Sequence, residues 1–533
     1  VFTSHLHQLT EYEEINMIEN LKIFHLEIKY DGDKLIYDRK LEKGSGPAIK
    51  SADKLISYNA LRSNVLHIGQ QLATLGIKPG DSVGIVTPNG PESAAIFISV
   101  ASFATAAPLN PRYTREEFKF YLTDLDAKIL IVSENVPIDP ILAASELGIK
   151  TIKIKTTDQA NEITLTEKNE ILRLSTATYN QANDVSLVLH TSGTTSRPKI
   201  VPLTADNICV SARNIARTLK LSDSDSYLNI MPLFHIHGLV AGVLATLESG
   251  GSMFCTDGFD TLKFFKILNM VKPTWFSGVP TMHQSILSRA PRNYNITKST
   301  NLRFIRSSSA SLPVSVLEEL EATFKCPVIE AYGMTEAAHQ MASNPLPPFK
   351  RKPGSVGVAA GPSIEILSND GKILSANKIG EIVIKGANVT KGYQNNPDAN
   401  KQNFIDGWFR TGDQGIIDKD GFLTITGRLK EIINRGGEKI SPKEIDEALL
   451  SHFNVSEAVT FSVPHEILGE DVGAALVLID KTKTTVAELK EHLKAKIADF
   501  KIPRNIVLLE EIPKGATGKI QRMNMAKILG FIK

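Results

Sequence analysis

Through about residue 340, short apolar runs alternate with longer amphipathic stretches. SVGIVTP, KILIVS and SYLNIMPL have the length and apolar content of buried strands, while SYNALRSNVLHIGQQLATLG repeats its apolar residues at helical spacing. Strands that alternate with helices predict an α/β fold with largely parallel sheets. The most apolar stretch, Ala94 to Leu109, reads as a buried helix, too short for a bilayer span. From about Pro345 the texture changes. Asn369-Asp370-Gly371 is a hairpin signal between β-rich runs, predicting a small β subdomain over about 345–429. Asp418-Lys419-Asp420-Gly421 makes a further turn before FLTITGR. Beyond it, AVTFSVP and AALVLI read as strands, and Thr485 with Glu488 three residues on forms a capping box. The expected architecture is therefore a large N-terminal domain over 17–429, sheets flanked by helices, and a small α+β C-terminal domain over 430–533. Met17 is a candidate native start.

Composition narrows the partners. The chain has 533 residues, and its 60 Lys+Arg against 58 Asp+Glu leave a formal charge of +2. With no long basic block, duplex nucleic acid is not an expected partner. Cys209, Cys255 and Cys326 are too scattered for a disulfide framework or a zinc site. No secretory, peroxisomal or retention signal is visible, so a cytoplasmic protein without integral membrane association is expected, a peroxisomal one remaining open.

Several stretches carry candidate chemistry. TSGTTSRPK, Thr191 to Lys199, follows the apolar run VSLVLH and combines hydroxyls, a glycine and a lysine. It departs from the nucleotide loop GxxxxGK[ST], because Pro198 replaces the second glycine and Ile200 follows the lysine. IVPL reads as a strand, so this loop joins two strands rather than a strand and a helix. It would hold phosphate through amides, hydroxyls and one ammonium; a plain polar turn is the bland alternative. AYGMTEAAH places Tyr332 before Thr335 and Glu336, or is merely a strand running into a helix start. In FHIHG, His235 and His237 would point the same way if extended; no third ligand is nearby, which argues against a metal site. WFRTGDQG carries Asp413 on a glycine-rich turn, and PKGATGKIQR carries Lys519 among small residues.

Taken in order, TSGTTSRPK, FHIHG, YGMTE, TGD, GRLKE, GGEKISP and PKGATGKIQR resemble the motif series of the adenylate-forming superfamily: acyl- and aryl-CoA ligases, luciferases and peptide-synthetase adenylation domains. The resemblance spans about Leu55 to Arg522. PLFHIHGL, RFIRSSSASLP, EAYGMTEAAHQMASNPLPP and NRGGEKISP look like the oxalate–CoA ligase and peroxisomal-CoA-synthetase-like branch. It implies ATP, Mg²⁺ and coenzyme A as the small-molecule partners of an acid.

By that resemblance, Thr191, Ser192, Gly193, Thr194, Thr195 and Lys199 would hold the phosphates that leave. Tyr332 would stack on adenine, with Ser309, Ala310 and Ser311 lining the other side and Glu330, Ala331 and Gly333 completing the nucleotide set. Asp413 would accept from the ribose hydroxyls, assisted by Arg428. Glu336, with Thr195, would bind Mg²⁺; Thr335 would touch the α-phosphate, and His235 belongs with this catalytic group. Lys519 would stabilise adenylation from a mobile C-terminal domain. Rotation about Lys430 would then bring Gly436 and Gly437 to the pantetheine channel. For the acid itself, His237, Ser308 and His339 suggest donors to a second carboxylate, hence oxalate or a similar small diacid. A medium- or long-chain fatty acid or an aryl acid is the alternative. Two rivals fit less well. An amino-acid-activating enzyme lacks a carrier domain here, and a non-catalytic nucleotide-binding regulator has no need of Lys519.

Overall fold

Ser57 starts the first long helix, Tyr58–Thr74, its side chain accepting the Ala60 N–H, and Leu61, Val65, Ile68 and Leu72 bury one stripe of it. The structure, a computed structural model, describes residues 30–31, 34–35, 44–156, 162–168, 170–191, 198–514 and 520–532. The apolar stretch read as one helix divides in two. Helix Pro91–Phe103 ends, and Thr105–Pro108 is a strand. β-branched Thr105 favours extended backbone, and Pro108 pushes the residue before it the same way.

Among the described residues, the chain up to Ala359 builds two large sheets. The first runs in the order Glu170–Ile171, Ile163–Glu167, Lys150–Thr156, Ile129–Val132, Ser82–Val86, Thr105–Pro108, Val185–Thr191, Lys199–Thr204. Its centre is parallel, as the alternation predicts, but its flanking pairs are antiparallel. The second sheet centres on the parallel strands Ser226–Asn229, Trp275–Gly278, Phe304–Ser307 and Val328–Met334, and turns antiparallel at His339–Ser343. One apolar core holds Val83 and Ile131 from the first sheet with Tyr227, Trp275 and Phe304 from the second.

A third, antiparallel sheet takes Ser363–Leu367, Ile379–Lys385, Trp408–Ile417 and Leu423–Arg428. Asn369-Asp370-Gly371 does turn the chain, with Leu367 bridging Ile373, yet the long partner strand starts only at Ile379. From Ile433 onward the elements form a separate sheet with its own core of Ile433, Ile440, Ile445, Leu449, Val472 and Leu476. The Thr485–Glu488 capping box heads helix Val486–Lys494. Hydrogen bonds from Lys443 Nζ to the Ile425 carbonyl (2.6 Å) and from Gln284 Nε2 to the Ser456 carbonyl (3.4 Å) join this sheet's elements to the rest. Among the described residues no helix is long and apolar enough to cross a membrane.

Candidate active site

The hydroxyl-rich loop joins two antiparallel neighbours, with Thr191 opposite Lys199 in the ladder. Ser192, Gly193, Thr194 and Thr195 lie outside the described residues. As IVPL suggested, a strand follows the loop, and helix Ala205–Thr218 comes only after it. The Lys199 ammonium sits 4.4 Å from the centre of the Tyr393 ring. Burial lowers its pKa while the Glu336 charge opposes that. Tyr393 in turn donates its hydroxyl to Glu336 Oε1 at 2.9 Å. The backbone closes the same group: the Thr390 N–H donates to the Glu336 carbonyl (2.7 Å), and the Gln394 N–H to the Ile200 carbonyl (3.1 Å). Tyr393 was not among the residues expected from sequence. A lone aromatic after a glycine in KGYQNNP does not stand apart from an ordinary turn.

Tyr332 lies near the end of strand Val328–Met334 and donates its hydroxyl to Asp413 Oδ2. Arg428 Nε stands 3.3 Å from Asp413 Oδ1, on the neighbouring strand. Burial raises the Asp413 pKa, and Arg428 works against that shift. An ionised carboxylate offers about four acceptor positions, so room remains for ligand hydroxyls. Ser309, Ala310 and Ser311 are exposed just past strand Phe304–Ser307, and Ser309 takes a left-handed φ of 73°. Glu330 differs from the expectation. Its carboxyl is buried and accepts the Gly354 N–H at 3.1 Å, and burial pushes its pKa up to about 8. Ala331 is buried beside it and accepts the Ser308 hydroxyl on its carbonyl. Thr335 opens a single 3-10 turn, Thr335–Ala337, rather than a helix, and Glu336 is buried on it. Gly333 is obligatory: a Cβ there would lie 2.1 Å from the His339 carbonyl oxygen.

The FHIHG histidines are not on extended chain. His237 opens a wide-turned π-helix, His237–Leu244, a form that recurs at functional sites. Residue 238 must be glycine, since a Cβ would meet the Pro232 carbonyl oxygen at 2.3 Å. His237 Nδ1 is 3.0 Å from Ser309 Oγ, and its Nε2 is 2.6 Å from Ser277 Oγ and 3.5 Å from Arg306 Nη1. The His237 and His339 rings are 4.9 Å apart, edge to face. Burial, reinforced by the Arg306 charge, drives both pKa values well down, so both rings are neutral. The buried His339 Nδ1 has no partner among the described residues. Ser308 is displaced from its expected role, because its hydroxyl donates to the Ala331 carbonyl at 2.9 Å. Within that serine run it is Ser309 that meets His237, on the ring nitrogen opposite Ser277. His235 also acts electrostatically on His237.

Lys519 lies outside the described residues. Arg522 is itself held: Nε is 3.0 Å from Glu431 Oε2, and Nη2 donates to Asp446 Oδ2 at 2.8 Å. Lys430 is exposed on the turn Leu429–Glu431. Gly436 and Gly437 are exposed at φ 58° and 97°, and the Gly436 N–H donates to the Leu468 carbonyl at 2.9 Å. Among the described residues no three His, Cys, Asp or Glu side chains gather as a metal cage. The buried carboxylate of Glu336, linked through Tyr393 to Lys199, is the kind of donor that suits Mg²⁺, which uses one or two carboxylates together with substrate phosphates.

Comparison with known proteins points to a single family. The family model for the AMP-binding enzyme covers residues 39–394, and that for its C-terminal domain covers 444–519. An oxalate–CoA ligase of Arabidopsis thaliana is 45% identical over 85% of this chain and 89% of its own length. One from Saccharomyces cerevisiae is 42% identical over 84% and 86%. Among solved structures, ATP-bound MatB from Rhodopseudomonas palustris superposes with a TM-score of 0.82 at 29% identity, over 92% of this chain and 97% of that one. MenE from Bacillus subtilis, solved with ATP and magnesium, gives 0.77 at 28% identity, over 91% and 97%.

Proposed function

The chain belongs to the AMP-binding enzyme family as an AMP-forming acid–CoA ligase, and on that premise we propose that the acid it activates is oxalate. The observation that carries this reading is a cluster of neutral polar groups, the buried rings of His237 and His339 with the exposed Ser309 hydroxyl, where a fatty or aryl tail would want apolar walls. A second carboxylate buried without such donors would be strongly disfavoured. The relatives named oxalate–CoA ligases support the same choice.

One carboxylate oxygen of the acid attacks the α-phosphorus of ATP. The bond to the β-phosphate breaks, and pyrophosphate leaves with its electrons, giving acyl-AMP. The CoA thiolate then attacks the acyl carbon and AMP departs. Mg²⁺, when bound at Glu336, neutralises phosphate charge. Tyr332 lines the adenine site, and Asp413, oriented by Arg428, accepts from the ribose. Thr191 and Lys199 hold the outer phosphates with Ser192, Gly193, Thr194 and Thr195. Thr335 bonds the α-phosphate. Lys519 stabilises the charge that gathers between acid and α-phosphate, a contribution worth roughly 10²- to 10³-fold per donor. Lys430 is the hinge, and Gly436 and Gly437 let the thin pantetheine arm pass backbone.

The test is a panel of acids, from oxalate and malonate to medium-chain and aryl acids, assayed for pyrophosphate release and thioester formation. Oxalate should give the highest kcat/KM. Preference for a medium-chain acid would retire the oxalate reading and leave the ligase class standing.

A further inference from the structure

Arg306 lies at the centre of the second sheet, on strand Phe304–Ser307 between two parallel neighbours. It is wholly inaccessible, at 0% exposure. Strand alternation puts it on the same face as Phe304, which belongs to the large apolar core. Its Nη2 donates to Gln340 Oε1 at 3.3 Å, Nη1 reaches His237 Nε2 at 3.5 Å, and Nε is buried with no partner among the described residues. Among the described residues no carboxylate acts on it, and the titratable neighbour that does, the Tyr227 phenol, is itself kept neutral by burial. Burial lowers its pKa to about 10, so it remains a cation at neutral pH. The rings around it bring no further charge. His237 and His339 are held neutral, and burial takes His283 down to about 4.

A buried cation without a counter-ion costs several kcal/mol, and folds ordinarily pair it or replace it with an apolar residue. Here it sits directly behind the acid pocket. A guanidinium can only donate, so the histidine nitrogen facing it accepts. The Ser277 hydroxyl meets the same nitrogen at 2.6 Å, and Nδ1, on the other side of the ring, meets Ser309 Oγ at 3.0 Å. The positive charge thus lies one ring away from Ser309, the exposed hydroxyl beside the place proposed for the substrate's far end.

We propose that Arg306 supplies the counter-charge for the substrate's second carboxylate, partly through His237, and that this buried charge selects a dianion over a monocarboxylate of equal size. The proposal rests on the reading of the acid as oxalate. Arg306 is a specificity-determining and positioning residue; it takes no part in bond making.

The experiment compares oxalate with oxamate, in which a neutral amide replaces the second carboxylate at nearly the same size. Wild-type enzyme should use oxamate with a kcat/KM roughly 10²- to 10³-fold lower, the loss expected when a buried charge is left unpaired. In Arg306→Met the oxalate value should fall by the same order while the oxamate value changes little, so the ratio collapses toward one. A role confined to structure would lower the melting temperature; removal of an unpaired buried charge should hold or raise it, and the stabilisation that oxalate gives with AMP should vanish. Oxamate turned over as well as oxalate by wild type, or an unchanged ratio in Arg306→Met, overturns the proposal. If Arg306→Met does not fold, the wild-type ratio alone decides. Wild-type enzyme inactive on oxalate but active on a medium-chain acid would instead mean that the oxalate reading itself has failed.

Discussion

Arg428 and Asp413 face each other across adjacent strands, with Nε 3.3 Å from Oδ1, because the register of Trp408–Ile417 on Leu423–Arg428 pairs those two positions. The other carboxylate oxygen takes the Tyr332 hydroxyl. A group so held is preorganised to accept ligand hydroxyls without rearranging. Asp413→Ala should therefore raise the KM for ATP by roughly 10- to 100-fold, the range for hydrogen bonds to a charged acceptor. The KM for the acid should stay within a few-fold. Steady-state pyrophosphate release with each substrate varied in turn separates the two; equal effects on both would argue against a ribose role.

Tyr393 fixes one oxygen of Glu336 at 2.9 Å and lies under Lys199. Tyr393→Phe keeps the ring and removes that hydrogen bond. The expected result is a several-fold higher requirement for free Mg²⁺, with a stability change of about 1 kcal/mol. Titrating Mg²⁺ at saturating ATP and acid provides the check.

Glu330 has an ordinary carboxyl value of 4.5 and a folded value near 8, raised chiefly by burial. The unfolded chain ionises first as pH rises, so the folded state loses stability from about pH 4.5 up to about pH 8 and no further beyond it. The slope cannot exceed about 1.4 kcal/mol per pH unit. Glu330→Gln, neutral throughout, should flatten the pH dependence of the denaturation midpoint across that window. An identical pH profile in the two proteins would contradict a protonated Glu330.

Lys519 and Lys430 should separate the two half-reactions. Lys519→Ala should abolish acyl-AMP formation while preformed acyl-AMP still reacts with CoA. Lys430→Pro, which fixes φ near −65°, should spare pyrophosphate release and collapse thioester formation. Single-turnover assays of each half-reaction give the answer, and full thioester activity in Lys430→Pro would remove the hinge role.

What the sequence determined by itself is local. Alternating apolar runs specified the strands. Thr485 marked a helix start through a side chain that reaches its own first turn, and IVPL showed that a strand follows the phosphate-type loop. These signals are legible because each arises from residues within a few positions of one another. Where two local preferences met, as at Ala94–Leu109, the boundary between helix and strand was lost. The residues proposed for the acid pocket come together only in the tertiary structure. Whether Ser308 or Ser309 meets His237 depends on which hydroxyl the Ala331 carbonyl captures. Tyr393 matters through Glu336, 57 residues away. Arg306, in RFIRSSSASLP, has the sequence appearance of an ordinary charged position. Only the two parallel neighbours that bury its strand, and the π-helix that brings His237 against it, make it a caged cation. Burial and pairing between distant segments are decided by how sheets and helices pack, and no window of neighbouring residues contains that information.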